Sequence, residues 1–170
     1  MQPDSLIVPQ TLVKPRSFAG LMSVYESNFI RLTRLVPELH KITGTACSHS
    51  DADLPLHLDV IERTRYTCTL QLTYLFAGDD DQLSPVSGLV DVGQTGALLA
   101  DPDLRLRVYF DGHLAEVMSL TSNHRHAVLR RIAASHSEEL DLRWRRNMML
   151  NKWLEFCLDA GHQLVQSSPD

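Results

Sequence analysis

Glu62, Arg65, Tyr66, Arg107, Tyr109 and Glu116 are the residues whose types and placement suit ligand chemistry. An arginine offers a planar fork that grips a phosphate or carboxylate at two points. A tyrosine offers a stacking face, and a glutamate can accept or move a proton. All six fall on or beside stretches with the alternation of β-strands, so a sheet could present them together. The plainer reading is structural: Arg107 faces Glu116 across a hairpin and Glu62 with Arg65 steadies a turn, each pair contributing about 0.2–1 kcal/mol.

A second group is the basic stretch near the C-terminus. Residues 123–152 carry seven basic side chains against three acidic ones, a local charge of +4 within a chain of net charge −5. Arg125, Arg130, Arg131, Arg143 and Arg146 are the candidate basic patch, able to attract an anion or to serve as a solvated face. The overall negative charge makes nucleic acid an unlikely partner.

Other constellations are weaker. His49, Asp51 and Asp53 form H-x-D-x-D and His124 with His126 forms H-x-H, but both stretches read as loops, and no metal site or cofactor is expected. Cys157 and His162 could pair as nucleophile and base, yet Cys157 lies on the apolar stripe of a helix, where a cysteine behaves as a small hydrophobe. No nucleophile elbow, phosphate loop, dinucleotide fingerprint or paired C-x-x-C knuckle is present, so no catalytic residue is assigned.

The elements that must position these residues follow from periodicity. Residues 1–16, with Pro3, Pro9 and Pro15, read as an extended or disordered arm. From Ser17, an N-cap, residues Phe18, Leu21, Met22, Tyr25, Phe29, Leu32, Leu35 and Val36 recur at helical steps until Pro37. Leu56, Leu58 and Val60 alternate, as do Tyr66 to Phe76 on even numbers. One straight strand over 56–76 would reach about 70 Å, longer than a domain of this size, so the chain turns near 62–65. Parity favours an odd loop, Arg63 to Arg65, pairing Glu62 with Tyr66 and Val60 with Cys68, or else a bulge.

The second hairpin centres on Asp111-Gly112, a pair suited to a type I′ turn. A two-residue loop sets Leu106 opposite Val117, Val108 opposite Ala115, Arg107 opposite Glu116 and Tyr109 opposite Leu114. Between the hairpins, residues 77–103 hold six aspartates and four glycines, and read as a long acidic loop with disorder or a short extra strand. A C-terminal helix spans about Glu138 to Ala160, with Gly161 at its C′ position. Residues 163–170 form a tail. The expected fold is α+β: an N-terminal helix, an antiparallel sheet of two hairpins with about four strands, and a long C-terminal helix packed on the sheet, in one domain over 17–162.

Four sequence blocks stand out: E-x-N-F-x-x-L-x-R-L-x-P from Glu26 to Pro37, E-x-T-R-Y-T from Glu62 to Thr67, A-E-V at Ala115 to Val117, and W-L-x-x-C-L-x-x-G from Trp153 to Gly161. Together they resemble the YqiB-like family, also called domain of unknown function 1249. The resemblance implies a cytosolic bacterial protein and brings no established activity, cofactor or catalytic residue.

The three cysteines, odd in number and widely spaced, suit a reduced cytoplasmic chain, and no apolar run approaches a membrane span of roughly 18 residues. The expected function is non-enzymatic binding or regulation through a sheet face, with an anionic small molecule or a protein as partner. One alternative is an enzyme acting on a nucleotide or other phosphorylated small molecule, with Glu62 or Glu116 as base and Arg65 or Arg107 as clamp. Another is a homodimer or docking scaffold with an apolar patch at Tyr109, Leu114 and Met118.

Overall fold

A computed structural model describes residues 17–77, 98–121, 128 and 142–166. The first helix, α1 (Phe18–Leu35), begins where expected: Ser17 has extended backbone and its side chain accepts from the Gly20 amide at 3.0 Å. It ends at Leu35, two residues before Pro37, with the Val36 amide still bonded to Leu32 at 2.8 Å. Its buried stripe is Val24, Tyr25, Asn28, Leu32 and Leu35. Phe18, read from the sequence as part of that stripe, is 79% exposed.

The sheet is antiparallel and has more strands than the sequence suggested. Strands β1 (Thr45–Ser50), β2 (Asp53–Arg63), β3 (Thr67–Ala77), β5 (Asp103–Tyr109) and β6 (Leu114–Thr121) lie in the spatial order β1-β2-β3-β5-β6. The short β4 (Leu98–Ala100) pairs with the end of β3, so part of the expected acidic loop is strand. Residues 78–97, which hold four of its aspartates, lie outside the described residues, as do the arm 1–16 and the end of the tail from 167.

The expected pairing of the first hairpin is corrected. Val60 pairs with Leu70, not Cys68, and the register then shifts, so that Glu62 pairs with Thr69 and Arg63 with Cys68. Ile61 is the extra residue of a bulge, the second of the two parity-conserving solutions. The tip closes at Thr64, whose amide donates to the Thr67 carbonyl at 2.8 Å. In the second hairpin the four expected pairs are all found, but the turn differs: the positive φ belongs to His113, at 51°, and not to Gly112. Phe110 to His113 form a four-residue connection instead of a type I′ turn.

Helix α2 (Leu142–Asp159) falls within the expected span, and its candidate first-turn acids at 138, 139 and 141 lie outside the described residues. Gly161 has φ 86°; its amide donates to Leu158 at 3.0 Å and that of His162 to Cys157 at 2.9 Å, the paired bonds of a Schellman ending.

Both helices pack on one face of the sheet. Leu56, Leu58, Cys68, Leu70, Leu72, Tyr74, Leu104, Leu106, Val108, Ala115 and Val117 from the strands meet Leu32, Leu35, Leu150, Trp153 and Leu154 in one core. Each such large apolar side chain contributes about 1.5–3 kcal/mol on full burial. Asn28, Asn147 and Asn151 are fully buried beside β6, the last strand of the sheet. Asn147 Oδ1 accepts the Val117 amide at 2.9 Å, and Asn151 Nδ2 donates to Asn28 Oδ1 at 2.9 Å. Helix side chains thereby meet backbone groups that a terminal strand would leave unpaired.

Candidate functional site

The bulge at Ile61 decides which side chains reach the open face, the one opposite the helices. Upstream of it, Leu56, Leu58 and Val60 of β2 point toward the core. Downstream the parity reverses, so Glu62 stands on the open face and Arg63 points inward. Arg63 donates to the carbonyls of Leu39 and Ile42 at 2.7 Å each and of His40 at 2.9 Å, and its guanidinium lies 5.6 Å from the Phe110 ring centre. The arginine that fixes this segment is therefore Arg63, which the sequence reading passed over.

Glu62, Thr69, Arg107 and Glu116 are successive cross-strand partners on β2, β3, β5 and β6, and form one row across the open face. Arg107 Nη2 lies 3.9 Å from Glu62 Oε2, a loose ion pair with side chains 35% and 63% exposed. The Tyr109 hydroxyl donates to Glu116 Oε1 at 2.7 Å. Burial first, then its bond to Glu116 and the charge there, push the Tyr109 hydroxyl up, while Arg107 partly opposes this.

Tyr25 of α1 adds a group that periodicity had read only as core. It is 5% exposed, its hydroxyl makes no hydrogen bond of normal geometry, and burial followed by the Glu116 charge raises it to about 12.

Arg65 and Tyr66 are not part of the row. They occupy the hairpin tip, where Arg65 stacks on the Tyr66 ring at 5.2 Å and Tyr66 is 53% exposed. Thr64 organises this tip, accepting the amides of Tyr66 and Thr67 at 3.3 and 3.0 Å. The expected pairing of Glu62 with Tyr66 is thus replaced by Glu62 with Thr69.

Of the basic patch, Arg143 is exposed and Arg146 donates to the Met118 carbonyl at 3.3 Å. Arg125, Arg130 and Arg131, together with the H-x-H of His124 and His126, lie outside the described residues. Met118 is 39% exposed, whereas Tyr109 and Leu114 are half-buried.

The H-x-D-x-D motif is divided between different surroundings, and two of its residues are on strands, not in a loop. His49 lies exposed on β1, Asp51 in the β1–β2 turn, and Asp53 inside. Asp53 accepts from Tyr74 through a short hydrogen bond and lies 3.1 Å from His162 Nε2; His162 Nδ1 is 3.1 Å from Ser48 Oγ. Trp153 Nε1 donates to the Tyr74 hydroxyl at 3.1 Å. His162 is therefore spent on Asp53 and Ser48, not on Cys157.

The Cys157 thiol is fully buried and raised to about 12, chiefly by that burial, which suits core packing and not nucleophilic attack. The buried polar chain escaped the sequence reading because β1 was read as loop. Among the described residues, no group of three or more His, Cys, Asp or Glu side chains is placed to hold a metal ion. No described helix is long and apolar enough to cross a membrane.

No significant match is found among curated proteins or among solved structures. The family model described as "Protein of unknown function (DUF1249)" matches residues 31–163, a span that contains Glu62, Arg107, Tyr109 and Glu116. With most of its length matched, and with the Glu62 to Thr67, Ala115 to Val117 and Trp153 to Gly161 blocks inside that span, this chain belongs to the DUF1249 family.

Proposed function

We propose that the protein is a non-enzymatic binding module whose recognition surface is the open sheet face, centred on Arg107, Tyr109 and Glu116 with Glu62 at its margin. The observation that carries this reading is that three of the six candidate side chains, Glu62, Arg107 and Glu116, share one cross-strand row, and a fourth, Tyr109, bonds to Glu116. The ligand class is a small molecule with an anionic group and at least one hydrogen-bond donor. Arg107 supplies the fork for a phosphate or carboxylate, while Glu116 and the Tyr109 hydroxyl receive polar groups beside it.

Energetics favour exchange at Arg107. An exposed ion pair is worth about 0–1 kcal/mol, so giving up the 3.9 Å contact with Glu62 costs little. A bidentate contact with a ligand anion is stronger than what it replaces. The enzyme reading is less well supported, because Glu116 is already engaged by Tyr109. A reducing, cytoplasmic setting suits three free cysteines.

A thermal-shift screen of nucleotides, sugar phosphates and small carboxylates against the full chain tests the proposal. A stabilising compound should lose its effect with Arg107→Ala and keep it with Arg65→Ala. If Arg107→Ala retains every interaction found, the surface is wrongly placed.

A further inference from the structure

A second set of polar side chains crosses the same open face, two residues along β3 from Thr69. Asp59 on β2, Gln71 on β3 and Arg105 on β5 are successive cross-strand partners. Asp59 and Arg105 are exposed, and among the described residues neither side chain makes a hydrogen bond or ion pair. Two inter-strand spacings, about 10 Å between Cα atoms, separate them. The row therefore offers an anion at one end, a cation at the other and an amide between.

On the β2 side of Gln71 lies a groove of about 580 Å³, lined in part by Cys47, His57, Asp59, Gln71, Thr73 and Leu75. Small-molecule sites occupy roughly 300–1,000 Å³, so a compact ligand fits. The polar lining consists mostly of acceptors. Gln71 Nε2 donates to Asp103 Oδ1 at 2.7 Å, which leaves Oε1 to accept. Thr73 Oγ1 spends its proton on the Tyr74 carbonyl at 2.8 Å. No lysine or arginine lines the groove, and burial, then His49, lowers the His57 ring from its ordinary pKa, which favours neutral imidazole. Such a groove suits an ammonium or an amide N–H and repels a carboxylate, whereas Arg105, beyond Gln71, offers the carboxylate a two-point fork.

We infer that this row is a binding site for a short peptide with free termini, its ammonium on Asp59 and its carboxylate on Arg105. Three extended residues span about 10 Å, which matches the separation of the two charges. Gln71 Oε1 then accepts a peptide N–H near mid-span, and Leu75 with Ala100 gives a peptide side chain an apolar wall. Each exposed ion pair alone contributes little, so selectivity arises from engaging both termini at once across a span the sheet fixes. The site goes beyond the Arg107, Tyr109 and Glu116 surface, and neither depends on the other.

The test is isothermal titration of the full-length protein with trialanine, N-acetyl-trialanine and trialanine amide. Trialanine should bind at a single site, and each capped form should bind about tenfold more weakly, the factor that one charge-assisted hydrogen bond supplies. Asp59→Asn should erase the difference between trialanine and its acetylated form. Arg105→Gln should erase the difference between trialanine and its amide. Both positions are exposed, so the fold tolerates these changes. Arg107→Ala should leave both differences intact, which separates this site from the surface proposed above.

No binding of trialanine, equal binding of the capped forms, survival of either difference in its matching variant, or loss of both differences in Arg107→Ala would each overturn the site.

Discussion

The Arg63 guanidinium donates to the Leu39 carbonyl at 2.7 Å and so ties the end of β2 to the turn that follows α1. The parity reversal at Ile61 that turns Arg63 inward also turns Glu62 outward, toward Arg107. One bulge thus serves both the packing of the hairpin and the composition of the open face.

Removing the guanidinium leaves three carbonyls to find other partners. Hydrogen bonds from a charged donor are worth about 1.5–3 kcal/mol each and are not additive, so Arg63→Ala should destabilise by about 2–4 kcal/mol. Arg63→Lys, which cannot span all three acceptors, should recover only part of this. Urea unfolding measures both, and a loss below about 0.5 kcal/mol, the range of an ordinary surface substitution, contradicts the latch.

At the other end of the sheet, Asn147 is the partner of the Val117 amide and donates to the Arg143 carbonyl at 2.9 Å. Asn147→Leu keeps the volume and strands a buried amide, at a cost of about 1–3 kcal/mol for that group alone. Amide exchange at Val117 should quicken in this variant. Unchanged exchange would show that the β6 edge is held by other means.

Alkaline pH should destabilise the fold. Tyr25 and Cys157 are both held at about 12, above ordinary values of 10.0 and 9.0, and Tyr74 and Tyr109 are raised as well. Unfolding exposes groups that ionise more readily, so the unfolded state releases protons first as pH rises. Stability should be flat from pH 7 to about 8.5, fall once the unfolded thiol and phenols begin to ionise, and continue falling to about pH 12. Urea midpoints at a series of pH values test this, and Tyr25→Phe should reduce the slope between about pH 10 and 12. A midpoint that rises over that interval contradicts the assignment of buried neutral hydroxyls.

Residue pattern explains what was legible before any coordinates. The register of β5 with β6 from Leu106 to Tyr109 followed from alternation, whereas the shift beyond it, where Arg105 meets Ser119, did not. The Ile61 bulge did not follow, because an odd loop and a bulge satisfy the same parity and only long-range contacts such as Arg63 with Leu39 choose between them.

Strand β1 reads Thr-Ala-Cys-Ser-His-Ser, in which only Ala46 and Ser48 are buried, too small and polar to signal a strand. Asn28, Asn147 and Asn151 gave no apolar signal either, since their role is to satisfy backbone and one another within the core. The candidate row was legible as residue types and as the Arg107–Glu116 pair. The separation of Arg65 from the row depended on how the hairpin tip folds.

The most direct test of the binding face is an amide chemical-shift titration of the isotope-labelled full chain with a compound that stabilises it in the thermal-shift screen. Shifts should concentrate on Thr69, Arg107, Tyr109 and Glu116 and should vanish with Arg107→Ala. Shifts confined to other surfaces, or undiminished in Arg107→Ala, would contradict the assignment of this face as the recognition site.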